Sequence, residues 1–324
     1  MWRKNRFLES LNSRGNRPLV VAHRGDSFFT PENPLEAARR ARDGADAWEL
    51  DVQLTRDGIP VVLHDDSLLR TTDVVARFGN DLRSRSGFLI NDFTYSELMT
   101  LDAGSWFLSE NSIERSATYF GTLPRIDATQ RSRYTSGTIR IPRLVDALRL
   151  TAELDWLVNV EIKAFPLNPQ GLTEAVLNAI AETETADRVL ISSFDHRIIA
   201  GLSRSRPNPF LAYGLLTHTP LYDLPRYAAE LVGCSTVHVS AESLGSESAA
   251  YRNSPSELNL MGEGVEALNA HGIPVLVYTV NEHGPSSLAS RLAGIGVAGI
   301  FTDDPRGMAR SFQANTTPDR VTGS

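Results

Sequence analysis

The stretch V-V-A-H-R-G-D at Val20–Asp26 decides the fold, together with T-P-E-N-P at Thr30–Pro34, E-L-D-V at Glu49–Val52 and D-G-I-P-V-V-L-H-D at Asp57–Asp65. Two histidines, acidic groups and an arginine stand at the ends of three apolar runs. Ala47–Leu54 and Ile59–His64 are strand-like, and Asp57-Gly58 separates them. Asp-Gly between apolar runs is the strongest short hairpin signal, because a type I′ turn needs φ > 0 at both central residues. With Asp57 and Gly58 in those places, Arg56 faces Ile59 and His64 faces Asp51, Cβ atoms about 4.5–5.5 Å apart. Alternation along a strand puts Glu49, Asp51 and Gln53 on one face and Trp48, Leu50 and Val52 on the other. A surface hairpin with one solvated face would read the same way. Apolar residues flanking both faces argue instead for a strand buried on both sides.

Working outward, β-rich apolar runs recur at Leu19–His23, Trp48–Leu54, Pro60–His64, Leu157–Ile162, Val189–Phe194, Phe210–Leu216, Thr236–Ser240, Pro274–Val280 and Gly299–Thr302. Helical patterns lie between them at Pro34–Asp43, Leu144–Leu154, Leu172–Ala186, Ile198–Arg204, Leu224–Val232 and Gly264–His271. This alternation predicts βα units, a parallel sheet and an α/β fold of the TIM-type (β/α)8 barrel class. The surplus strand comes from the hairpin, so the barrel should be irregular near its second strand. Residues 1–17 read as an N-terminal extension, 18–312 as the barrel and 313–324 as a flexible tail. Ser105–Arg140 lacks strong periodicity and reads as an insertion capping the catalytic end. Gly294–Gly299 has the spacing G-x-G-x-x-G, but it precedes a strand where a dinucleotide site needs one before it.

Composition bounds the function. The chain has 324 residues, 41% of them hydrophobic, with a net charge of −7 and a pI near 5.6. No long Lys/Arg tract is present, so nucleic acid is not an expected partner. An acidic protein that handles phosphates must concentrate positive charge locally. The single cysteine, Cys234, reads as a small buried hydrophobe. No secretory signal or membrane span is expected, which places the protein in the cytoplasm. Trp2, Arg3, Lys4, Arg6, Phe7 and Leu8 suit a plain N-terminal helix or, less economically, a membrane contact.

In a barrel of this type, functional groups lie at the C-terminal ends of strands. Here those ends carry His23-Arg24, Glu49 and Asp51, Glu161 and Lys163, Ser192-Ser193, His238, Asn281 and Asp303-Asp304. Each has a bland reading: Glu161 and Lys163 as a local ion pair, His238 as a core histidine, Asp303-Asp304-Pro305 as a helix cap. Glu49, Asp51 and Glu161 form an oxygen-rich set suited to a hard divalent cation, either Mg²⁺ or Ca²⁺.

With these residues in place, the chain resembles the glycerophosphodiester phosphodiesterase family, within the PLC-like phosphodiesterases. The resemblance runs from Val20 to about Pro305. It rests on H-R-G at His23–Gly25, P-E-N at Pro31–Asn33, E-L-D-V at Glu49–Val52 and T-R-D-G-I-P-V-V-L-H-D at Thr55–Asp65. Further markers are V-E-I-K at Val160–Lys163, S-F at Ser193–Phe194, Y-T-V-N at Tyr278–Asn281 and F-T-D-D-P at Phe301–Pro305. The resemblance implies His23 and His64 as an acid–base pair and Glu49, Asp51 and Glu161 as ligands of one divalent cation, Mg²⁺, Ca²⁺ or Mn²⁺. It implies Arg24 and Lys163 as phosphate contacts supported by Glu32, with Tyr278 and Asn281 on the substrate side. The resemblance implies conversion of a small-molecule glycerophosphodiester to glycerol 3-phosphate and an alcohol, with the glycerol 2-hydroxyl as a candidate nucleophile that gives a cyclic phosphate for water to open. Two departures stand out: Pro34 follows P-E-N where threonine is usual, and Tyr278 stands where tryptophan is common. The insertion is also longer than in the compact bacterial forms. The rivals are a lysophospholipase D-type enzyme, a non-catalytic phosphodiester-binding barrel and a sugar isomerase.

Overall fold

The structure is a computed structural model that describes residues 4–13, 15, 17–110, 116–164, 170–219, 221–241 and 255–314. Trp2 and Arg3, residues 111–115 of the expected insertion, and all but the first two residues of the expected tail lie outside the described residues.

Eight parallel strands close into a barrel: β1 (Leu19–Ala22), β2 (Ala47–Leu54), β4 (Val158–Ile162), β5 (Val189–Ser193), β6 (Ala212–Thr217), β7 (Thr236–Ser240), β8 (Val275–Tyr278) and β9 (Gly299–Thr302). Pairing of β1 with β2 completes the ring. The ninth strand, β3 (Pro60–Val62), runs antiparallel to the upper part of β2. This is the irregularity expected near the second strand.

The hairpin register differs by one residue from the expectation. Leu54 pairs with Pro60, so Thr55 rather than Arg56 faces Ile59. Gly58 takes the left-handed conformation (φ +78°), whereas Asp57 does not. The connection is therefore a three-residue loop closed by a left-handed glycine, not a two-residue type I′ turn. Thr55 explains the choice: its hydroxyl bonds Asp57 Oδ1 (2.6 Å) and accepts from the Ile59 amide (2.9 Å). The expected pairing of His64 opposite Asp51 is thus corrected. Leu63 donates its amide to the Asp51 carbonyl (3.0 Å), and His64 leaves the ladder there, its carbonyl held by Gln53 Nε2 (3.1 Å).

Side chains alternate between two cores. Outward-facing Trp48, Leu50, Val52, Val158 and Val160 pack under the surrounding helices. Trp48 stacks on Trp156 and donates to Thr151 Oγ1 (2.9 Å) from the helix Leu144–Glu153. Inward-facing Leu19, Val21, Ala47, Leu157, Leu190 and Ala212 meet Phe7 and Leu11 of the helix Arg6–Ser13. The N-terminal segment is therefore a plug in the barrel floor rather than a mere extension. Asn5 fixes it by donating to the carbonyls of Val189 (2.9 Å) and Phe210 (2.8 Å).

A third apolar cluster joins Val61, Leu63, Leu68, Phe88, Phe93, Leu101, Phe107, Tyr134 and Ile139. The substructure beside the barrel mouth thus begins directly after β3 and is larger than the Ser105–Arg140 span expected. Its first half was not recognised because it consists of short helices, such as Val74–Phe78, with no long amphipathic period.

The turn after β1 is set by close packing. Gly25 has φ +84°, and a Cβ there would lie 2.6 Å from Ala37 in the helix Leu35–Ala41. The same helix supplies Arg40, which pairs with the buried Asp26 (2.7 Å). Burial nevertheless raises the Asp26 carboxyl from 3.8 to about 6.

Two stability effects follow. Phe7 is fully buried, so Phe7→Ala should cost roughly 3–5 kcal/mol in urea unfolding; a loss well under 1 kcal/mol would show that the floor plug is dispensable. Asp26 holds its proton more tightly when folded, so its contribution is complete below the unfolded pKa and is lost as pH rises through about 6. Asp26→Asn should therefore gain about 2 kcal/mol on wild type between roughly pH 4.5 and 7.5. A pH-independent difference would contradict this.

Candidate active site

Sheet register brings the acidic groups together. Asp51 on β2 is level with Glu161 on β4, and Glu49 is level with Asn159. One oxygen from each of Glu49, Asp51 and Glu161 lies within 4.8 Å of the others, and all three residues are buried. Glu49 Oε2 accepts the Arg24 amide (2.9 Å), and Asp51 Oδ2 accepts Asn33 Nδ2 (3.0 Å). Arg24 Nε lies 3.1 Å from Asp51, and Lys163 Nζ lies 3.0 Å from Asp51 and 2.5 Å from Glu161. The lysine contacts are made to Asp51 Oδ1 and Glu161 Oε1, whereas Glu49 Oε1 has no hydrogen-bond partner among the described residues. Three clustered carboxyl groups, all hard oxygen donors, suit a divalent cation of the Mg²⁺, Ca²⁺ or Mn²⁺ type.

The electrostatics follow from three buried carboxylates facing two cations. Burial, with Asp51 and Glu161 nearby, raises Glu49 well above the usual carboxylate range. Burial also raises Glu161 despite Lys163. Asp51 goes the other way: against its burial, Lys163 and Arg24 hold it well below that range.

The two histidines line one small cavity of about 160 Å³, shared with Arg24, Glu49, Glu161, Lys163 and Tyr278. His23 follows β1, and its Nδ1 lies 2.8 Å from Asp303 Oδ1. Asp303 is steadied by Ser27 Oγ (2.9 Å) and Asn281 Nδ2 (2.7 Å). His64 Nδ1 lies 2.6 Å from Asp65 Oδ1. Burial, with Arg24 and Lys163 nearby, lowers His64 to about 4. Each imidazole is thus oriented through Nδ1 by a carboxylate. A larger cavity of about 710 Å³ adjoins the first, shares His64, Glu161, Lys163, Phe194 and Leu216, and adds the apolar walls Ile162 and Leu221.

The remaining expected site residues take distinct places. Glu32 bonds Arg24 Nη1 (2.7 Å) and so backs the site. Tyr278 packs edge-on to Phe194, and its hydroxyl donates to the Thr217 carbonyl (2.9 Å). Asn281 stands one step back, its amide engaged by Asp303 from both sides. Asp304 caps the helix Pro305–Ala314 through the Gly307 amide (2.9 Å), the bland reading, whereas its neighbour Asp303 serves His23. His238 is a core histidine: its Nε2 meets Thr236 Oγ1 (3.0 Å), and burial lowers it to about 3. Cys234 is buried, its thiol pushed up to about 12.

Sequence reasoning missed Asn33, Asp65, Arg70 and the role of Asp303. Asp65 had a readable signal, since it directly follows a strand-end histidine. Asn33 had a weaker one within P-E-N; it and Arg24 take positive φ (74° and 56°), which no residue type announces.

Among the described residues, no helix is long and apolar enough to cross a membrane. Residues 23–306 match the Glycerophosphoryl diester phosphodiesterase family. A glycerophosphodiester phosphodiesterase of Caldanaerobacter subterraneus subsp. tengcongensis is 33% identical over 290 residues, covering 89% of this chain and 95% of that one. One from Bacillus altitudinis is 30% identical over 288 residues, covering 88% and 94%. An Oleispira antarctica phosphodiesterase, solved with the product sn-glycerol-3-phosphate, superposes with a TM-score of 0.65 at 26% identity, covering 92% of this chain and 97% of that one. Barrel, site and relatives agree: the chain belongs to the glycerophosphoryl diester phosphodiesterase family and is a phosphoric diester hydrolase.

Proposed function

We propose that this enzyme uses a divalent cation and the His23–His64 pair to convert glycerophosphodiesters to glycerol 3-phosphate and an alcohol in the cytoplasm. The observation that carries the reading is the shared cavity: two carboxylate-oriented imidazoles beside a cluster of three buried carboxyl groups. Sequence similarity to the Oleispira antarctica enzyme that holds sn-glycerol-3-phosphate supports the product.

Glu49, Asp51 and Glu161 would hold the cation, which when bound neutralises phosphate oxygens and stabilises the charge that grows on them. Arg24 and Lys163 add fixed positive charge at the same phosphate. His64, kept neutral by burial, Arg24 and Lys163, suits taking the proton of the attacking hydroxyl, for which the glycerol 2-hydroxyl is the candidate. His23, backed by Asp303, then supplies a proton to the departing alcohol, and water opens the resulting cyclic phosphate to glycerol 3-phosphate. Tyr278 shapes the wall on which that alcohol rests.

The 710 Å³ cavity with apolar walls favours one second reading, a lysophospholipase D-type activity on the same machinery. Choline release from glycerophosphocholine compared with lysophosphatidylcholine separates the two.

His23→Ala and His64→Ala should each lower turnover roughly 10²–10⁴-fold with the fold retained; either variant within a few-fold of wild type would remove that histidine from the chemistry. Excess EDTA should abolish glycerophosphocholine hydrolysis, and Mg²⁺, Ca²⁺ or Mn²⁺ should restore it. Undiminished hydrolysis after exhaustive chelation would refute the cation's role.

A further inference from the structure

Between the two halves of the site lies a guanidinium that lines neither cavity. Arg70 follows His64 by six residues, in the substructure after β3. Its Nε and Nη2 grip Asp65 (2.7 and 2.9 Å), while Nη1 and Nη2 grip Glu32 (3.0 and 2.6 Å). Two bidentate forks on one planar group demand a single geometry. The side chain is 19% exposed and lies against the Trp106 ring.

The far ends of both carboxylates lead to groups assigned to the chemistry. Glu32 Oε1 also accepts Arg24 Nη1 (2.7 Å), and Asp65 Oδ1 meets His64 Nδ1 (2.6 Å). Despite its burial, Asp65 is held well below the usual carboxylate range by His64 and Arg70. An ionised Asp65 only accepts, so His64 carries its proton on Nδ1 and keeps Nε2 as the acceptor nitrogen. The alternation Arg24, Glu32, Arg70, Asp65, His64 therefore ties the first βα loop of the barrel to the substructure after β3.

We propose that Arg70 is a positioning residue that sets the His64 imidazole against the Arg24 guanidinium, acting through Asp65 and Glu32. It touches no substrate, since four of its five N–H donors go to the two carboxylates and it lines neither cavity. The inference rests on the roles given above to His64 and Arg24. Lysine keeps the charge at this position but cannot form two parallel forks.

The test is glycerophosphocholine turnover with Mn²⁺ for wild type, Arg70→Lys, His64→Ala and the double variant. Arg70→Lys should lower kcat by about 10–100-fold, as loss of an orienting partner does, and move KM far less. In the His64→Ala background the same change should alter kcat by less than about twofold, because the group it positions is gone. Arg70→Lys at the wild-type kcat, or an equal kcat loss in both backgrounds, overturns the proposal. Wild-type turnover by His64→Ala would instead sink the role given to His64. If Arg70→Lys does not fold, Asp65→Asn breaks the same link at nearly constant shape. It should show the same kcat loss and the same non-additivity with His64→Ala, and an unchanged kcat or full additivity overturns the proposal equally.

Discussion

Three buried carboxyl groups crowd one another at the barrel mouth, and the rest of the site is arranged around their mutual repulsion. Glu49, Asp51 and Glu161 arrive on adjacent strands in fixed register and cannot move apart. Two cations, Arg24 and Lys163, face three carboxyl groups, and burial and crowding raise Glu49 and Glu161 above their ordinary values. A buried charge without full compensation is costly, so the site is built to take further positive charge. A divalent cation held by Glu49, Asp51 and Glu161 would supply it.

Around that cluster the barrel places its two cavity-lining histidines by two routes. His23 comes from the end of β1 and is steadied from β9 through Asp303. His64 comes back over the rim on the β2–β3 hairpin and is steadied from the substructure after β3 through Asp65 and Arg70. The first route is intrinsic to the barrel; the second depends on docking of an added layer with its own apolar core. Sequence change in that layer can therefore shift His64 through Arg70 and Asp65 without touching Glu49, Asp51 or Glu161.

Much of this was legible in the sequence because strand periodicity fixes faces. Glu49 and Asp51 had to share a side, and Glu161 and Lys163 likewise. The alternation of apolar runs and helical patterns sufficed for the barrel. The hairpin register was not legible, because Thr55 side-chain bonding outweighed the Asp-Gly signal and shifted the pairing by one residue. The site survived the error because His64 lies beyond the last ladder pair, where alternation no longer applies. The floor plug was missed since Phe7 and Leu11 are four apart on a short helix, a spacing that shows an apolar stripe but not what it packs against. Asp303 was hidden by a competing role: Asp-Asp-Pro before a helix reads as a cap, and Asp304 does cap.

The central claim is that one divalent cation completes the Glu49–Asp51–Glu161 cluster. The most direct measurement is Mn²⁺ binding to the metal-stripped enzyme, by electron paramagnetic resonance, for wild type and Glu161→Gln. One tight site per chain is predicted in wild type, weakened at least about tenfold in the variant, as expected when an anionic ligand is neutralised. Absence of a tight site, or one of equal affinity in Glu161→Gln, would contradict the claim.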